Sequence, residues 1–235
     1  MSAMGETPMP GGWSMSTIWM PLCGQTWLAC AASFVGGWTV MMAAMMSPSL
    51  TLALWRYRDS VLATSGGQAA WPTLLAGTGY FLAWAGVGAI AFAGGAVLAA
   101  SELRSITLAH MVPLSSGIVV LIAGAIQFTP WKTHRIEPCG HAPQRRFMPA
   151  FKTSEAWEHG LRLAYRDGCC CANLMVVLLV VGVMDLPAMA AATVAMHAER
   201  LLLPGTRAIR AVGFAIIAVG LGMIAKALCF AGNIL

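Results

Sequence analysis

The stretch Pro72–Ala100, PTLLAGTGYFLAWAGVGAIAFAGGAVLAA, contains no charged residue. A helix needs about 20 mainly apolar residues to cross the hydrocarbon core of a bilayer, and this run exceeds that. Five more apolar runs flank it. The first extends from Trp27 to about Leu54, with an interruption expected near Pro48. The third covers Pro113–Pro130, and the fourth Gly168–Met184, almost entirely apolar after Asn173. The fifth, Leu186–Leu203, is weaker because it carries His197, Glu199 and Arg200; the sixth covers Ala208–Gly232. The expected fold class is all-α, a polytopic membrane helix bundle of about six transmembrane helices. Pro at or near the start of the second, third and fifth runs suits a helix N-terminus, where a missing N–H costs little. Small residues such as Gly88, Gly95, Gly213 and Gly220 would let helices approach closely.

Composition agrees. Of the 235 residues 58% are hydrophobic and 10% charged, against about 25% charged in ordinary soluble domains. The length suits a single integral membrane domain, with residues 1–26 as an outer interfacial segment and 131–167 as a basic cytoplasmic loop. The net charge of +5 reads as cytoplasmic loops facing anionic membrane lipid, and no nucleic-acid partner is expected. The first 26 residues hold no Lys or Arg, so no cleavable secretory signal is expected.

Charge also orients the spans. Twelve of the 14 cations fall in the loops after the first, third and fifth runs or at their flanks, Arg200 and Arg210 being at the flanks of the last. The positive-inside rule then places both termini outside the cytoplasm, in a bacterial-type inner membrane. A re-entrant fifth run would move the C-terminus inside.

Soft sulfur donors carry the chemistry. The chain has 16 Met and 7 Cys, and thioethers and thiolates favour Cu(I) and related soft metals. Met42, Met45 and Met46 lie three and four residues apart, on one helical face. Cys169, Cys170 and Cys171 open the fourth run from the cytoplasmic side, with Met175 one turn beyond. His197 lies in the cytoplasmic half of the fifth run beside Met196. These eight residues — Met42, Met45, Met46, Cys169, Cys170, Cys171, Met175 and His197 — are the candidate metal ligands, with a copper ion as cofactor. Met is also an ordinary adaptable core filler. Consecutive helical residues point in different directions, so at most one or two of the three Cys would face a shared site. Glu199 is expected in water at the interface, and Asp185 as a cap for the fifth run. His134, Cys139 and His141 form a second cluster without a zinc spacing.

Towards the outer side, Met1, Met4, Met9, Met15 and Met20 stud the N-terminal segment. Cys23 and Cys30 lie at the outer end of the first run and Cys229 at that of the sixth, where an oxidising compartment would permit a disulfide or a Met/Cys patch could collect copper. No nucleotide-binding loop, Ser-His-Asp pattern or His-Glu-x-x-His motif is present.

Several blocks resemble the DUF2182 family of predicted metal-binding integral membrane proteins. They are Trp38-Thr-Val-Met-Met-Ala-Ala-Met-Met-Ser-Pro48, Gln127-Phe-Thr-Pro-Trp-Lys132, the Cys-Cys pair, Gly182-Val-Met-Asp-Leu-Pro-Ala-Met189 and Ala198-Glu-Arg-Leu-Leu-Leu-Pro-Gly205. The resemblance implies a helical membrane bundle that binds metal. By position it implies Met45, Met46, Lys132, Cys139, Cys170, Cys171, Met184 and Glu199. Family members often show two Cys in the third loop, where this chain has only Cys139.

Three functions follow as expectations. The first is a membrane protein that binds a soft metal, copper above all, in handling or delivery. The alternative is an accessory or structural subunit of a larger membrane protein complex, with no metal of its own and other membrane subunits as partners. A membrane thiol enzyme using the Cys triple ranks last, since no base or cofactor motif supports it.

Overall fold

The computed structural model describes residues 6–9, 13–21, 24–65, 69–129, 153–182, 185–201 and 206–232. Among them six helices make an all-α bundle: α1 Trp27–Ser65, α2 Ala70–Arg104, α3 Ile106–Ile126, α4 Thr153–Val181, α5 Leu186–Leu201 and α6 Thr206–Gly232. A small antiparallel hairpin, β1 Glu6–Met9 with β2 Trp13–Ser16, and a short 3-10 turn at Thr17–Trp19 precede them.

Four helices, α1, α2, α4 and α6, are long and apolar enough to cross a membrane. In α3 the described apolar run is shorter, His110–Ile126. With 16 residues, α5 reaches about 24 Å at ~1.5 Å per residue, less than the ~30 Å hydrocarbon core. Large apolar side chains such as Leu28, Ile90, Val97, Val194 and Phe214 stand exposed on these helices. An apolar exterior of this extent points to membrane insertion.

The helix bounds depart from the sequence reading in three places. The interruption expected at Pro48 does not occur, because α1 runs through it to Ser65. Proline cannot donate to the carbonyl four residues back, which is that of Ala44. The Ser47 hydroxyl donates to that carbonyl instead, at 3.0 Å, so the ladder loses no acceptor partner. In α3 the backbone turns helical at Ile106, with Pro113 inside. The third departure is α4, which starts at Thr153, fifteen residues before Gly168 and inside the stretch read as basic loop. Ala156, Gly160, Ala164 and Asp167 recur there at helical spacing and are buried. They form a narrow small-residue face, which a search for long apolar runs passes over.

α2 lies between α1 and α4, and α3 pairs with α6. Glycines allow the closest approaches. A Cβ on Gly160 would stand 2.1 Å from the Ala76 carbonyl oxygen, and one on Gly88 would stand 2.6 Å from the Trp38 ring. In α3, Cβ atoms on Gly117 and Gly124 would strike Ile224 and Ile217 of α6. One end of the bundle has a small core of its own, where Tyr57 of α1, Ala76 of α2 and Ala156 of α4 meet.

Gly160→Ala is expected to lower the thermal midpoint of the purified protein, with a loss on the order of 1–3 kcal/mol, because the obstructing atom is backbone. Gly222→Ala, with nothing within 4 Å of the new methyl, is expected to leave the midpoint unchanged or slightly raised. Equal midpoints for both variants would contradict the close α2–α4 packing.

Candidate metal centre

The site begins with a stripe along α1. Cys30, Phe34, Trp38, Met41, Met42, Met45, Met46 and Leu50 are all buried, at steps of three and four residues that keep them on one face. Trp38 fixes the stripe's rotation. Its ring packs on Gly88, and its indole Nε1 donates to the Trp84 carbonyl at 3.0 Å. Phe34 stacks on Trp38 and meets Phe92 at a centroid distance of 5.5 Å.

Below that aromatic ladder the face turns to sulfur. Met42 is wholly buried, and Met41, Met45 and Met46 nearly so. Cys171 and Met175, one turn apart on α4, join the same buried cluster, as does Met196 of α5. Seven sulfur side chains from three helices therefore share one continuous core with Cys30 at its far end.

The Cys triple divides. Cys171 lies in the cluster, and its Sγ is 3.8 Å from the Gly168 carbonyl oxygen. Cys169 is half-buried and has its thiol. Cys170 is buried and stands in a disulfide, so in this state it has no thiolate to offer a metal. Among the described residues no group of three or more His, Cys, Asp and Glu could hold a metal ion. A metal here would rely on thioethers.

His197 adds one nitrogen. Its Nδ1 lies 2.8 Å from the Thr193 carbonyl oxygen, one turn back on α5. A carbonyl oxygen only accepts, so Nδ1 carries the hydrogen and Nε2 presents a bare lone pair. That Nε2 is buried and has no hydrogen-bond partner among the described residues. A ring nitrogen held by a backbone carbonyl, with the other left bare, is the arrangement found in metal-ligating histidines. A buried polar atom without a partner is otherwise unfavourable.

Polar groups are buried in the interior as well. Glu199, expected in water, is only 4% exposed and accepts a hydrogen bond from Gln127 Nε2. Gln127 Oε1 accepts from Asn173 Nδ2 at 3.1 Å, and the same Nδ2 donates to the Ala123 carbonyl at 2.6 Å. The signal for Glu199 was its position three residues after Met196, on the same helical face. Tyr80 donates its hydroxyl to Asp167 Oδ2 at 2.9 Å, also in the interior. Asp185 stands just before α5, where its carbonyl accepts from the Met189 N–H at 2.9 Å. No outer disulfide joins Cys30 or Cys229: Cys30 donates its thiol to the Ile18 carbonyl at 3.5 Å, and Cys229 is an exposed thiol. His134, Cys139 and His141 lie outside the described residues, as do Met1, Met4 and Cys23.

A family model described as PpoB2, copper chaperone, matches residues 35–223. That span takes in the Met face of α1, the Cys triple, Met175 and His197. No curated protein and no solved structure was found to match.

Proposed function

Given that the chain belongs to the PpoB2 copper chaperone family, we propose that it is a multi-pass membrane protein that takes Cu(I) into its helix bundle as cargo and hands it to a partner. The proposed donors are the thioethers of Met42, Met45, Met46 and Met175, the thiolate of Cys171 and Nε2 of His197. The observation that carries the reading is the buried Nε2 of His197, without a hydrogen-bond partner among the described residues, next in the chain to a methionine of the sulfur core.

The donor chemistry suits the cargo. Thioether, thiolate and imidazole are soft or borderline ligands that prefer Cu(I) to the hard divalent cations. The core around them is apolar, so a strongly hydrated cation would lose its water without equivalent oxygen ligands in return. Cys169, half-buried two residues before Cys171, is assigned to entry or exit of the ion. Cys170 joins only after its disulfide is reduced.

The DUF2182-like blocks at 38–48, 127–132, 182–189 and 198–205 all fall within the 35–223 match. We take them as pieces of one family pattern. Charge distribution supports an inner membrane of bacterial type with both termini outside. Reporter fusions to each terminus are expected to read the non-cytoplasmic side, and a cytoplasmic reading at either end contradicts this topology.

Purified full-length protein in detergent is expected to take up Cu(I) against a colorimetric Cu(I) chelator. His197→Ala and Cys171→Ser are each expected to weaken uptake about tenfold or more, or ~1.4 kcal/mol. Met111→Leu, on an exposed methionine of α3, is expected to change nothing. Absence of uptake by the wild type, or equal uptake by all three variants, refutes the proposed site.

A further inference from the structure

We propose that Gln127, Asn173 and Glu199 are positioning residues for the copper site, holding α5 at the rotation that aims His197 Nε2 into the protein. The ligand role of His197 rests on the copper reading above; the hold on α5 does not.

α5 is the shortest α-helix among the described residues, and a rigid docking has to come from few side chains. Met196 is its one fully buried apolar anchor among the described residues, with Ala188, Met189, Ala192 and Ala195 packed at the edge of the core. Apolar contacts of this kind are weakly directional, so small residues at the edge leave the helix free to turn. Glu199 supplies direction. It lies three residues beyond Met196, on the same face, and its carboxylate meets the Gln127 amide just past the end of α3.

The chain of hydrogen bonds runs in one sense only. Glu199 takes the amide N–H₂ end of Gln127, so the carbonyl end of Gln127 faces away and takes a hydrogen from Asn173. Asn173 uses its second amide hydrogen on the Ala123 carbonyl of α3. Both hydrogens on Asn173 Nδ2 are therefore committed, and α3, α4 and α5 are tied at one level. Gln127 is 1% exposed and Asn173 9%, so water offers no substitute partners and the geometry is enforced.

His197 follows Met196 by one residue, about 100° further round the helix. Its ring is already locked to α5 by the Nδ1 bond to Thr193. The direction of Nε2 in the bundle is then set by the rotation of α5 as a whole, which the Glu199 contact fixes. Outer partners that orient a metal-ligating group typically change metal affinity by about 10- to 100-fold when removed.

The test uses the full chain in lipid nanodiscs, with two readouts. Copper-free protein is treated with diethyl pyrocarbonate, which modifies bare imidazole nitrogens, and His197 labelling is followed by mass spectrometry. Cu(I) affinity is measured by chelator competition on the same preparations. Glu199→Ala is expected to expose His197 to rapid labelling and to weaken Cu(I) binding by about 10- to 100-fold. Glu199→Gln, whose carbonyl can accept the same Gln127 N–H, is expected to stay close to wild type in both. Gln127→Leu, which removes the middle of the chain while filling its volume, is expected to follow Glu199→Ala and serves in its place if that variant loses helix content. Protection of His197 and Cu(I) affinity both unchanged in Glu199→Ala and Gln127→Leu would overturn the proposal. Glu199→Gln behaving like Glu199→Ala would also overturn it, since charge and not hydrogen-bond geometry would then be at work. A wild type that binds no copper while the labelling pattern holds would sink the copper reading and leave the positioning of α5 standing.

Discussion

Trp38 packs on the bare backbone of Gly88 and donates its indole hydrogen to the Trp84 carbonyl, and through these contacts α1 is held at one rotation against α2. The rest of the interior depends on that rotation. It turns the face of Met41, Met42, Met45 and Met46 inward, towards Cys171 and Met175 of α4 and Met196 of α5. In lipid the tails are as apolar as a methionine side chain, so hydrophobic burial gives little reason for helices to associate. Close packing and buried hydrogen bonds decide instead. The contacts of Gly160 with Ala76, Gly88 with Trp38 and Gly124 with Ile217 supply the first. Trp38–Trp84, Tyr80–Asp167 and the Asn173–Gln127–Glu199 chain supply the second.

This division explains which parts were legible in the amino-acid sequence. The apolar runs gave the helices, because a span is defined by its length and lack of charge. The Met face of α1 was legible from spacing alone. The continuity of α1 through Pro48 was not, since it depends on Ser47 donating to the Ala44 carbonyl. The early start of α4 was missed because its buried face is built from Ala156, Gly160 and Ala164, which give no apolar signal. Glu199 was misread because a carboxylate beside Arg200 looks like an interfacial residue, and its partner Gln127 lies 72 positions away. For the Cys triple, spacing limited how many could face one site; it gave no indication that Cys170 stands in a disulfide.

The buried polar groups and the sulfur core belong to one arrangement. Seven sulfur side chains would pack well as mere filler, given the adaptability of methionine. Filler gives no reason to bring an imidazole nitrogen inside with its lone pair unused. Nor does it call for a carboxylate and two amides, from three different helices, buried together. Buried polar groups are costly unless satisfied. Here the amide–carboxylate chain is hydrogen-bonded along its length, and His197 Nε2 has no hydrogen-bond partner among the described residues. On the proposed reading, a soft cation bound in the bundle would satisfy that nitrogen, in keeping with the copper chaperone family to which the chain belongs.

X-ray absorption at the copper edge, on wild-type protein loaded with Cu(I) in nanodiscs, tests this most directly. The account predicts a Cu(I) edge with a first shell of sulfur plus one nitrogen, the nitrogen contribution vanishing in His197→Ala. A shell of oxygen and nitrogen without sulfur, or a spectrum identical in the variant, would contradict it.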